Sequence, residues 1–259
     1  MADSGDKRVR LDIEGHLATI RIDRPEKLNA LDFDMVLALE RAAGLVDNEN
    51  NLRAVIITGT GHRAFCAGGD VDAWSNWSPE EFSMKWVRQG HRAFDALARI
   101  RHPLIAAING LCLGGGLELA VTADIRIAED HIKVGQPESG IGIIAGWSGT
   151  QRAVRRFGAQ LVRRMALVGE VFDAKSAFDL GLVDKVVAKG ESYDSAVAMA
   201  EQIANRSPAA TRLTKLLVNI AEGEERDSSV EALGGYIAAS GAELQQGLEA
   251  FRNKRKPSF

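Results

Sequence analysis

Two spacings of apolar residues recur along the chain. In HLATIRI (residues 16–22) Ala18, Ile20 and Ile22 alternate with Thr19 and Arg21, the pattern of a strand with one face buried. DFDMVLALERAAGLVDNE (32–49) follows a helical period, with Asp32 placed as its N-cap. LRAVIITG (52–59) is a continuous apolar run closed by glycine, as expected of a strand buried on both faces. A second helix is predicted over 79–100, where Pro79 follows Ser78, and PLIAAING (103–110) reads as another buried strand. Gly114, Gly115 and Gly116 then open a short helix, and ADIRIA (123–128) returns as a strand. This alternation predicts an α/β fold whose sheet is covered by helices. From Ser192 onward the pattern is helix after helix, which places a helical C-terminal subdomain at 192–259 behind a core of 1–191.

Composition narrows the function classes. The 259 residues, 46% hydrophobic and 26% charged, are enough for a sizeable core. With 32 basic and 35 acidic residues the net charge is −3, which argues against nucleic acid or an anionic membrane as the main partner. Cys66 and Cys112 both lie in apolar runs and are expected to be reduced, buried thiols. The five histidines are scattered, with no metal-ligand spacing, so no metal is expected. The opening MADSGDKRVRLDIEG lacks the apolar core of a signal peptide, which makes the cytoplasm the expected compartment. The run from Pro103 to Ala123 is long and apolar enough to suggest a membrane span, but Asn109, Glu118 and its glycines would put costly groups in lipid.

The candidate chemistry begins with glycine. GLCLGGGLE (110–118) and FCAGGDV (65–71) each place glycines after a buried strand, where backbone N–H groups can approach a ligand and hold an anion or an oxyanion. Either could equally be ordinary turn chemistry. Neither ends in the Gly-Lys-Ser/Thr of a phosphate loop. GIGIIAG (140–146) imitates a dinucleotide fingerprint without the βαβ unit that should follow, and GWSG (146–149) lacks a spacer residue of a serine nucleophile elbow. The acids say more. Glu118 stands among Leu117, Leu119 and Ala120, and Glu138 follows Pro137. A carboxylate in apolar company must be paired, neutral or functional. A salt bridge would account for Glu118, and the first turn of a helix for Glu138. Together, beside two N–H sites, the acids could move protons while the amides hold a developing negative charge.

At this point the sequence resembles the crotonase, or enoyl-CoA hydratase/isomerase, superfamily over nearly its whole length. The resemblance rests on RPEKLNAL (24–31), AFCAGGDV (64–71), INGLCLGGGLELAVTADIRIA (108–128), GQPESGIGI with GTQR (135–152) and AFRNKRKPSF (250–259), in that order. It implies a ββα spiral core and an oxyanion hole from the N–H groups of Gly69 and Gly115 that grips an acyl-CoA thioester. It also implies that Glu118 and Glu138 position and activate water, with Glu138 delivering the proton to the α-carbon. Lys27, Leu28, Ala30, Ala67 and Asp70 would lie along coenzyme A, while Phe251 and Lys254 would reach the coenzyme A of a neighbouring subunit in a homotrimer or dimer of trimers. Coenzyme A enters as part of the substrate, with no separate cofactor. The pattern breaks at Ala145, Gly146, Trp147 and Ser148, and at Ser139 and Gly140. Trp147 is expected to reshape the acyl pocket, and Trp74 and Trp77 fall where relatives line the acyl tail. Isomerisation or thioester hydrolysis on the same scaffold, and a non-catalytic RNA-binding or scaffolding role, are the alternatives.

Overall fold

The computed structural model describes residues 4–258. Strands β1 (Val9–Glu14), β2 (Leu17–Ile22), β3 (Ala54–Gly59), β4 (Ala64–Cys66), β5 (Leu104–Ile108), β6 (Leu111–Leu113), β7 (Ile125–Glu129), β8 (Lys133–Gly135), β9 (Val171–Asp173) and β10 (Lys185–Val187) form two sheets. One has the order β1-β2-β3-β5-β7-β10 and the other β4-β6-β8-β9. In the first, β1 and β2 are antiparallel and the remaining neighbours parallel, with Ile20 opposite Ile57 and Ile57 opposite Ala106. In the second, β4, β6 and β8 run parallel and β9 closes the edge antiparallel.

The continuous apolar runs are explained by burial on both faces of the larger sheet. Val55, Ile57, Leu104 and Ala106 join one core with Met35, Val36 and Leu39 of the helix Phe33–Asn48. The alternate residues Ala54, Ile56, Ile105 and Ala107 pack with Ala196 and Ala200 of the helix Ser192–Ala204. That second contact moves the division of the chain. The compact units end at Lys215 and resume at Leu216, so the boundary falls later than the 192 suggested by the switch to helices. The sheet needs the helix Ser192–Ala204 to cover its second face.

The expected Asp32 cap is present, accepting from Met35 N at 3.1 Å, and Ser78 adds a capping box with Glu81. The helix predicted over 79–100 is interrupted. Between Pro79–Glu81 and Arg88–Ala98 lies a π-helical turn, Phe82–Val87, a feature often met at functional sites. The run from Pro103 to Ala123 divides into β5, β6 and the helix Gly115–Thr122, and no helix among the described residues is long and apolar enough to cross a membrane. Cys66 and Cys112 are free, buried and opposite each other in β4 and β6, and burial pushes the Cys66 thiol up to about 12.

Candidate active site

The smaller sheet gathers the chemistry. Because β4 and β6 are parallel neighbours, the glycine turns that follow them leave from the same end, and a Cβ built on Gly115 would lie 3.5 Å from the Gly69 nitrogen. This closeness depends on missing side chains: a Cβ on Gly116 would stand 1.9 Å from the Cys66 carbonyl oxygen. Gly114, at φ +53, turns the chain into the helix Gly115–Thr122, leaving the Gly115 amide in its first turn. Among the described residues, neither the Gly69 nor the Gly115 N–H donates to another protein group. The two donors therefore remain available to a ligand.

β8 brings the second acid beside the first. Gly114 N donates to Gly135 O at 2.9 Å, and the chain then enters the 3-10 turn Glu138–Ile141. A Cβ on Gly114 would lie 3.1 Å from Glu138 Oε1, a buried oxygen with no partner among the described residues. Glu118, one turn into its helix, is 3% exposed. Its Oε1 accepts from Trp147 N at 2.6 Å and Gly149 N at 2.7 Å. Gln136, also buried, supports that loop by donating to Gly149 O at 3.0 Å.

Burial pushes the Glu118 carboxyl up to about 7, aided by the charge of Glu138 and opposed by the two amides and by Arg152. Burial also raises Glu138. A carboxyl whose folded pKa lies above its unfolded value binds its proton more tightly in the native state. Its contribution to stability is thus full in acid and is lost as pH rises from about 4.5 through about 7. Glu118→Gln is expected to remove a pH-dependent loss of about 3 kcal/mol between pH 4 and pH 8. Urea denaturation of both proteins at the two pH values checks this, and parallel profiles would contradict it.

RPEKLNAL lies against the Gly69 turn. Ala67 N donates to Leu28 O at 3.1 Å, Leu31 N to Gly68 O at 2.8 Å and Asp70 N to Leu31 O at 2.7 Å. Leu28 and Asn29 adopt left-handed conformations, and buried Asn29 holds them by donating to Thr60 O and Ala64 O at 3.0 and 2.8 Å. Ala30 O accepts from Arg24 Nη1, and exposed Lys27 pairs with Asp72 at 3.2 Å. The Asp70 carboxylate is buried and paired with Arg24 at 2.8 Å, tying the two segments together. Phe251 and Lys254 lie in the C-terminal unit, Phe251 being 82% exposed.

Gly69, Gly115, Glu118, Glu138, Ala67, Trp74 and Trp147 line one cavity of about 180 Å³. Trp77 is not in its wall and packs edge-on against Phe33 and Trp86. Trp86 and Phe82, which the sequence reading passed over, do line it. Their spacing of four residues on a predicted helix was the available signal. Asn29 and Gln136 carried no such signal, because their roles depend on loop contacts.

A family model described as enoyl-CoA hydratase/isomerase matches residues 12–259. The chain is 35% identical to the crotonyl-CoA hydratase of Syntrophomonas wolfei over 98% of each sequence. It is 34% identical to the short-chain-enoyl-CoA hydratase of Clostridium acetobutylicum, covering 96% of this chain and 95% of that one. The crystal structure of an enoyl-CoA hydratase from Bacillus anthracis superposes with a TM-score of 0.81 at 30% identity, covering 98% of this chain and 99% of that one.

Proposed function

The chain belongs to the enoyl-CoA hydratase/isomerase family, and from that premise we propose that it is a hydro-lyase adding water across the 2,3 double bond of a 2-enoyl-CoA. The observation that carries this reading is the convergence of both carboxyls, Glu118 and Glu138, on the cavity that holds the free N–H groups of Gly69 and Gly115. The amides receive the thioester oxygen and stabilise the enolate that forms when a nucleophile reaches the β-carbon. Water sits between the acids. Glu118 keeps its orientation through the Trp147 and Gly149 amides, while Glu138, whose Oε1 has no partner among the described residues, exchanges a proton with the α-carbon. Burial raises the proton affinity of both acids, which favours the protonated form that a general acid needs. The chemistry needs no group beyond these side chains and amides.

Two acids favour hydration over isomerisation, in which a single carboxyl can shuttle the proton. We also assign Lys27, Leu28, Ala30 and Ala67 to the coenzyme A path, and Phe251 and Lys254 to a neighbouring subunit's substrate in a homotrimer or dimer of trimers, in the cytoplasm. The test is loss of the conjugated-thioester absorbance of crotonyl-CoA on adding the protein. Rapid loss is expected, and an unchanged spectrum with crotonyl-CoA bound would contradict the assignment.

A further inference from the structure

The aromatic wall narrows the substrate class, an inference that rests on the acyl-CoA reading above. Trp147 is fixed from several sides. Its Nε1–H donates to Trp86 O at 2.9 Å, and its ring lies 4.7 Å from that of Trp86 and 4.8 Å from that of Phe94. A Cβ on Gly90 would come within 2.0 Å of Trp147 Nε1, and one on Gly115 within 2.6 Å of its Cζ3. The indole is therefore pressed against the helix that carries Glu118, with no slack to move aside, and is only 2% exposed. Trp86 stands equally close to the other amide donor, its Cζ2 being 2.5 Å from a Cβ built on Gly69.

The aromatic contacts continue from there. Trp74 lies 6.1 Å from Trp86, tilted, and Phe82 meets Trp74 edge-on at 5.0 Å. Rings tilted in this way offer faces and edges to a further ring, the arrangement that aromatic pairs prefer. The cavity of about 180 Å³ compares with the roughly 150 Å³ known to enclose one benzene. Ile141 and Ile144, which also line it, are 61% and 78% exposed, so any part of a linear chain that passes them leaves its methylenes in water.

We infer that this chamber is built for a 2-enoyl-CoA bearing an aromatic ring at the β-carbon, and that Trp147 is the residue that excludes long linear acyl chains. The side chain sets specificity, whereas the amide that holds Glu118 is independent of it.

Unreactive saturated thioesters test this without requiring turnover. Isothermal titration calorimetry compares 3-phenylpropanoyl-CoA, decanoyl-CoA and free CoA. The wild-type protein is expected to bind the phenyl thioester about ten times more tightly than the decanoyl one. Trp147→Ala is expected to abolish that preference by admitting the longer chain, and Trp74→Ala to weaken the phenyl thioester selectively. Decanoyl-CoA binding as tightly as the phenyl thioester to the wild-type protein would overturn the inference. If neither thioester binds more tightly than free CoA, the chamber takes no acyl group, and the acyl-CoA reading fails along with the inference.

Discussion

Glu138→Gln lowers the rate of crotonyl-CoA hydration by about 10²–10⁴-fold and leaves CoA affinity unchanged. The expected size is that of a positioned general acid or base. Glutamine keeps the shape of glutamate but can neither take up nor release the proton. Glu138 Oε1 has no partner among the described residues, so the substitution cuts no bond at that oxygen. Glu118 differs in this respect. Its Oε1 holds the amides of Trp147 and Gly149, so Glu118→Gln also disturbs the loop that carries them, beyond its effect on the rate. The two variants are therefore distinguishable in more than activity. Rates near wild type in both would sink the two-acid mechanism.

Gly69→Pro removes one of the two proposed oxyanion donors and is expected to cost about 10²–10³ in kcat, the loss seen when one such donor is deleted elsewhere. Any residue here also introduces a Cβ, which would stand 2.5 Å from Trp86 Cζ2. Gly69→Ala supplies the control, since it introduces the same clash but keeps the N–H. The gap in kcat between the two variants, with folding checked by circular dichroism, isolates the donor. Equal losses in both would show that the wall, and not the amide, matters at this position.

Much of this site was legible because its logic is local. Strands buried on both faces announce themselves as unbroken apolar runs, as in 52–59 and 103–110, and glycines after them mark close backbone approach. Glu118 drew notice because a charge among leucines is costly. What escaped depends on tertiary context. Strands β4, β6, β8 and β9 have three residues each, too few to show a period, yet they place both glycine turns and Glu138. The π-helical turn Phe82–Val87, which carries Trp86 into the cavity wall, departs from the regular helical period and so leaves no mark in it. The ion pair between Asp70 and Arg24 joins residues far apart in sequence, which no local pattern records. The unit boundary was placed early for a similar reason. A switch to helices marks a change of element type, and only the covered sheet face shows that the helix Ser192–Ala204 belongs with the strands.

The central claim is addition of water by the paired acids, and the product formed from crotonyl-CoA in deuterium oxide tests it most directly. Mass spectrometry after transfer to ordinary water should show a thioester heavier by one water, carrying one non-exchanging deuterium at the α-carbon, and formed far more slowly by Glu138→Gln. Deuterium incorporation without gain of water would indicate isomerase-type proton shuttling, and release of free CoA would indicate hydrolysis. Either result would contradict the account.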